Sequence, residues 1–156
     1  MKVGLYFGTF NPIHVGHMII ANYMADHMDI DEVWLVVTPQ NPLKTKSTLL
    51  KDSYRLALVR EAVYDNNKLK ASDVEFGMDT PNYTSHTLVH LIEKYSEHEF
   101  ALIMGEDNLR TLHKWFNYEV ILKNHSIYVY PRVLTPQEKI GQQDQEIKRV
   151  EALKAE

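Results

Sequence analysis

Thr9, His14 and His17 fall within ten residues, GTFNPIHVGH, that run from Gly8 to His17. The two histidines stand three apart with Gly16 between them, at the point where a short apolar run stops and a longer apolar stretch begins. Spacing by three places side chains on one face of a helix, and a helix start offers unpaired backbone N–H groups and the positive end of the dipole. Such a cluster suits an anion. Gly8 and Gly16 allow a backbone or a phosphate to come close, Thr9 supplies a hydroxyl, and Pro12 stiffens the turn. The stretch is neither a G-x-x-x-x-G-K-[ST] loop nor a G-x-G-x-x-G fingerprint, and without an H-E-x-x-H or an evident third ligand it does not read as a metal site. A bare His-x-x-His also reads as a pair that caps a helix and fills a turn. The surrounding glycines and hydroxyl favour a ligand rich in phosphate.

Elements of defined kinds must hold those residues. Val3 to Phe7 and Val33 to Val37 are apolar runs of strand length, and Val15 to Met28 is unbroken by proline or by any glycine after Gly16. The first two read as buried parallel strands and the third as a mostly buried helix, so the opening is a right-handed βαβ unit. Asp52 or Ser53 is expected to cap a second helix through YRLALVREAVYD. Thr84 or Ser85 is expected to cap a third, with Leu88, Leu91, Ile92 and Tyr95 on one face. Phe100 to Gly105 reads as another buried strand, EDNLRTLHKW as a helix after an Asp107 or Asn108 cap, and Ser126 to Tyr130 as a strand ending at Pro131. This alternation predicts an α/β fold: a Rossmann-like open parallel sheet with helices on both faces and ligands beyond the carboxyl ends of its strands. GTFNPIHVGH, TPQNPLK and GED all lie at such ends.

The 156 residues suit one domain with its own core. With 17 Lys and Arg against 21 Asp and Glu, the net charge of −4 gives no general attraction to nucleic acid or anionic lipid, so phosphate binding must be local. The absence of cysteine excludes disulfide scaffolds, thiolate zinc sites and thiol catalysis. The N-terminal apolar run is too short for a signal peptide, and no stretch reaches membrane-span length, so the expected address is the cytoplasm. Oligomeric state stays open, a homo-oligomer included.

The string between first strand and first helix resembles the nucleotidyltransferases with an H-x-G-H signature. Three further stretches, TPQNPLK (38–44), NYTSHTL (82–88) and IMGEDNLRTLHKW (103–115), are similar to bacterial nicotinate-nucleotide adenylyltransferase, and the likeness runs from residue 2 to about residue 132. The resemblance implies adenylyl transfer from ATP, with magnesium, to nicotinate mononucleotide. The products would be deamido-NAD and pyrophosphate, in NAD biosynthesis. It also implies roles. His14, His17 and Lys44 would be catalytic, the histidines as charge donors to the ATP phosphates rather than as bases or metal ligands. Gly8, Thr9, Phe10, Gly16, Gly105 and Asp107 would join them around ATP. Thr9, Phe10, Lys44, Tyr83, Thr84 and Trp115 would contact the mononucleotide, with Thr84 donating to the pyridine carboxylate and Trp115 stacking on the ring. The plainer alternatives are a solvated loop lysine for Lys44, core packing for Trp115 and a helix cap for Asp107; Arg55 is a weaker carry-over of the resemblance, with an ion pair as its plainer reading. His86 and His90 form a helical pair whose plainest reading is a solvated face.

The family's late I-S-S-T-x-x-R segment has no counterpart in this sequence, and EIKRVEALKAE resembles the piece leading up to it. The expectation is a single nucleotidyltransferase domain over 1–156 that stops short of that segment. Two other readings stand beside the first: a pantetheine-phosphate adenylyltransferase, or a nucleotide-binding module inactive through loss of the C-terminal phosphate grip.

Overall fold

A computed structural model of the chain describes residues 1–40 and 48–131. Its elements, in order, are β1 (Lys2–Gly8), α1 (Val15–His27), β2 (Glu32–Val37), α2 (Asp52–Val63), β3 (Leu69–Ser72), a 3₁₀ turn (Val74–Gly77), α3 (Thr84–Lys94), β4 (Glu99–Gly105), α4 (Glu106–Thr111), a second 3₁₀ turn (Leu112–Lys114), α5 (Tyr118–Asn124) and β5 (Ile127–Tyr130). The five strands form one sheet in the order β3-β2-β1-β4-β5, and every pairing is parallel.

Both faces of the sheet are covered, and this explains why its strands read as continuous apolar runs rather than as alternating ones. Val33, Leu35, Val37, Tyr6 and Ile103 project to one side, into a core shared with Ala21 and Met24 of α1 and Leu56, Val59 and Val63 of α2. Val3, Leu5, Val36, Leu102 and Met104 project to the other, against Leu88 and Leu91 of α3, Leu109 of α4 and Ile121 of α5. Each fully buried leucine here contributes roughly 2 kcal/mol. Chain order reverses between β1 and β4, which leaves a crevice at their carboxyl ends. Gly8 and Gly105 end those two strands, and Tyr130 ends β5 beside them.

Several local expectations need correction. Helix α1 is not mostly buried: Val15, Ile19 and Tyr23 form an exposed stripe, and only Ala21, Met24 and Ala25 are buried. On α3, Leu88 and Leu91 face the core as expected, but Ile92 is exposed. The caps shift by a residue or two. Helix α2 begins at Asp52 after Lys51, α3 at Thr84 after Tyr83, and α4 at Glu106 after Gly105, so Asp107 and Asn108 lie inside the helix. Asp52 caps no N–H of its own helix; its carboxylate serves Arg55 and the backbone N–H of Gln40 instead. The short strand β3 and helix α5 carry no evident sequence signal.

Candidate active site

The turn after β1 is built around two imidazoles that cap a helix reciprocally. His14 is the N-cap residue of α1, and its Nδ1 accepts the Gly16 N–H at 3.0 Å; the His14 N–H in turn donates to His17 Nδ1 at 3.1 Å. This reproduces the logic of a capping box with two aromatic rings, which stack at 3.9 Å between centroids. Because each Nδ1 accepts, each ring carries its hydrogen on Nε2. Neither Nε2 has a partner among the described residues. Capping and ligand binding were rival readings of the pair. One nitrogen of each ring does the first and leaves the other free for the second.

Gly16 is needed for this arrangement: a Cβ there would lie 2.8 Å from His14 Cε1 and 3.0 Å from its Nδ1. Phe10 carries the turn through a left-handed conformation, φ 48°, unusual for a bulky residue and costing about 1 kcal/mol or more. Its ring offsets that cost by being only 1% exposed, packed edge-on against Tyr6 at 5.5 Å and His17 at 5.0 Å. Gly8 leaves the room, since a Cβ there would touch that ring at 3.1 Å.

Burial first, and the neighbouring His14 second, lower the His17 pKa from 6.5 to about 4. In the free protein His17 is therefore a neutral hydrogen-bond donor at physiological pH. Burial, with a smaller contribution from Tyr130, pushes the Tyr6 phenol far up, so it too stays neutral.

Tyr6, Phe7, Gly8, Thr9, Phe10, Asn11, Pro12, His14, His17 and Tyr130 enclose a cavity of about 310 Å³, at the lower end of the range for small-molecule sites. The structure thus brings together Gly8, Thr9, Phe10, His14 and His17, with Gly16 directly behind. Gly105 lies under the same corner, where a Cβ would meet the Tyr130 ring at 3.2 Å. Asp107 sits in the first turn of α4 and accepts from Arg110 Nη2 at 2.6 Å. Lys44 and the residues from Leu134 onward lie outside the described residues.

Thr84 begins α3 and Tyr83 precedes it as the N-cap residue; neither lines this cavity. Trp115 is half-buried and packs on the core beneath the sheet. The ring that meets Tyr83 is its neighbour Phe116, at 5.2 Å, with His86 completing an aromatic cluster. The sequence reading did not single out Phe116, which follows Trp115 directly. Behind α3, Glu75 is 2% exposed and accepts from Thr87 Oγ1 at 2.7 Å. Burial raises its pKa, against the opposing pull of the Thr87 and Thr38 hydroxyls. Among the described residues no group of three or more His, Cys, Asp or Glu side chains stands together, and no helix is long and apolar enough to cross a membrane.

The five-stranded parallel sheet with its switch point over the H-x-G-H turn is the nucleotidyltransferase fold. Residues 5–148 match the cytidylyltransferase-like family, and the chain belongs to it. Among its relatives, "Probable nicotinate-nucleotide adenylyltransferase" of Flavobacterium johnsoniae is 67% identical over 133 residues, covering 85% of this chain and 69% of that protein. The protein of the same name from Bacteroides thetaiotaomicron is 43% identical over 132 residues, covering 85% of this chain and 65% of the other. The solved structure of Plasmodium falciparum nicotinic acid mononucleotide adenylyltransferase complexed with NaAD shares the fold, with a TM-score of 0.67, 16% identity, and coverage of 92% of this chain and 81% of that one. Within the cytidylyltransferase-like family the chain is thus a member of the nicotinate-nucleotide adenylyltransferases.

Proposed function

We propose that the protein transfers the adenylyl group of Mg-ATP to the phosphate of nicotinate mononucleotide, in NAD biosynthesis in the cytoplasm. A phosphate oxygen of the mononucleotide forms a bond to the α-phosphorus of ATP, the bond from that phosphorus to the bridging oxygen breaks, and pyrophosphate leaves with the electron pair. The other product is deamido-NAD. The attacking phosphate monoester has a second pKa near 6, so it is largely dianionic at neutral pH and needs no general base. The work left to the protein is to hold two anions in line and to stabilise charge on the transferring and departing phosphates.

The cavity at the switch point suits that task. His17 Nε2–H and His14 Nε2–H are donors to the triphosphate, and the Thr9 hydroxyl and the backbone around Gly8 and Phe10 complete the cradle. Magnesium arrives as the ATP chelate. Lys44 neutralises phosphate charge from the loop after β2. Gly105 and Asp107 bound the adenosine side. At α3 the helix N-terminus favours an anionic substituent, so Tyr83 and the Thr84 N–H or hydroxyl take the pyridine carboxylate. Phe116 adds a face beside Trp115 for the planar ring.

The observation that carries this reading is the pair of helix-capping imidazoles, each with Nε2–H unpartnered among the described residues and both lining a cavity of about 310 Å³, in a chain 67% identical to a relative bearing the adenylyltransferase name. Pyrophosphate release tests it, with nicotinate mononucleotide, nicotinamide mononucleotide and phosphopantetheine offered in turn with Mg-ATP. Preference for the first supports the proposal. Preference for phosphopantetheine, or ATP binding without release for any acceptor, overturns it in favour of a pantetheine-type enzyme or a binding module.

A further inference from the structure

Arg55 is the largest side chain with no exposed surface in the described structure, and it is not among the residues that line the cavity. Four hydrogen bonds to described residues hold it. Nε donates to the Leu50 carbonyl at 3.0 Å, Nη1 to the carbonyls of Thr9 at 2.7 Å and Thr38 at 2.8 Å, and Nη2 to Asp52 Oδ1. One guanidinium therefore ties the turn after β1, the end of β2 and the approach to α2. Asn11 repeats the connection: its Oδ1 accepts the Leu50 N–H at 2.9 Å and its Nδ2 donates to the Thr48 carbonyl at 3.1 Å. A buried arginine is costly to desolvate, and an apolar residue of similar volume would hold α2 against the sheet at least as well. What an apolar residue cannot do is fix the orientation of peptide planes.

The orientation matters at one of them. The Thr9–Phe10 peptide is trans, so its C=O and N–H point in opposite directions. With the Thr9 oxygen held by Arg55, the Phe10 N–H is turned away from α2. That N–H has no hydrogen-bond partner among the described residues, and both Thr9 and Phe10 line the cavity. The left-handed conformation at Phe10 is the strained link that this grip keeps in place.

We propose that Arg55 is a positioning residue for adenylyl transfer: by holding the Thr9 and Thr38 carbonyls from behind, it aims the Phe10 N–H at the phosphate being transferred and fixes the turn relative to the end of β2. The inference rests on the adenylyltransferase reading and adds to it a residue that never touches substrate.

Arg55→Lys keeps the charge beside Asp52, but a single ammonium on a flexible stem cannot span three carbonyls. It is expected to lower kcat by about 30-fold or more, as loss of in-line geometry does. KM for nicotinate mononucleotide should stay within about threefold, because α3 is untouched. Asp52→Asn leaves the carbonyl bonds intact and loosens only one anchor of the guanidinium, so its kcat loss should be smaller and in the same sense. Val63→Ala, a buried truncation at the far end of α2, controls for stability: it should lower Tm and leave kcat unchanged at temperatures where the protein is folded. Wild-type kcat in Arg55→Lys, or an equal loss in Val63→Ala, would overturn the proposal. If Arg55→Lys fails to fold, Asp52→Asn decides, with an unchanged kcat counting against it. If the wild-type protein releases no pyrophosphate with nicotinate mononucleotide, the substrate reading falls on its own. Arg55 is then judged by calorimetry with Mg-ATP, where about tenfold weaker binding in Arg55→Lys but not in Val63→Ala supports the role, and equal affinity refutes it.

Discussion

His17 faces two opposed influences when nucleotide arrives, and their sizes decide whether it works as a cation. Free, its pKa is about 4, so the ring is neutral above pH 5. One unit of phosphate charge about 4 Å from Nε2 is worth about 4 kcal/mol at an effective dielectric of 20, enough to raise the pKa by about 3 units. Protonation would, however, put a hydrogen on Nδ1, which accepts the His14 N–H at 3.1 Å. Giving up that bond and leaving the N–H unpaired costs about 1.5 kcal/mol, or about 1 unit. The pKa in the complex is then about 6, by the same linkage. Mg-ATP binding should take up about half a proton at pH 6 and less than about 0.1 at pH 7.5. Calorimetry in buffers of different ionisation enthalpy reads this directly, and His17→Asn subtracts every other titrating group, His14 included. Two results would refute the reasoning. Uptake of half a proton or more at pH 7.5 that disappears in His17→Asn would make His17 a cation in the complex. No His17-dependent uptake at pH 6 would mean that the ring does not meet the phosphates.

Other consequences follow from the same geometry. Gly16→Ala removes a helix glycine, a gain of about 1 kcal/mol, but pushes the His14 ring off its cap, a loss of similar size. Tm should therefore hardly move while kcat/KM falls about tenfold or more, a split that melting and steady-state assays resolve. The depressed pKa of His17 means that the unfolded chain binds the extra proton first, so stability is full above pH 6.5 and is lost as pH falls toward 4. The ring is partly solvated, which discounts the nominal 3 kcal/mol or so to about 1.5 kcal/mol, and denaturation of His17→Asn should lack that share of the acid loss. Glu75 has the opposite sign: its raised pKa makes its contribution greatest below the ordinary carboxylate value and smaller as pH rises through the folded value. Urea midpoints of Glu75→Gln should accordingly gain on wild type between pH 4 and pH 8, and a constant difference would refute the assignment. Phe116→Ala should raise KM for the mononucleotide several-fold and leave KM for ATP within about twofold.

How much of this was legible in the sequence depended on whether a residue's role was set locally. Four of the five strands, β1, β2, β4 and β5, followed from apolar runs that are continuous because both sheet faces are covered, and the phosphate turn from a string whose glycines have steric duties visible at Gly8 and Gly16. The four-residue β3 was not legible, since the apolar–polar alternation of LKAS is too short to mark an edge strand against a loop. Helix α1 misled because its apolar residues surround the whole cylinder, and only the packing of α1 against β1, β2 and β3 decides which of them are covered. The division of labour between Nδ1 and Nε2 was hidden for a different reason: residue spacing fixes which face a ring is on, but not which of its nitrogens the backbone takes. Arg55 stayed an ion-pair residue on paper because three of its four acceptors are main-chain carbonyls, two of them contributed by segments far from α2 in sequence.

The central claim is that the capped imidazoles at the switch point serve adenylyl transfer to a pyridine mononucleotide that carries a carboxylate. Its most direct test is product analysis by mass after incubation with Mg-ATP and an equimolar mixture of nicotinate and nicotinamide mononucleotides. The account predicts deamido-NAD and pyrophosphate in equal amounts, a clear excess over NAD, and a fall of about 100-fold or more in both products for His17→Ala. Formation of NAD in excess, or deamido-NAD made at the wild-type rate by His17→Ala, would contradict it.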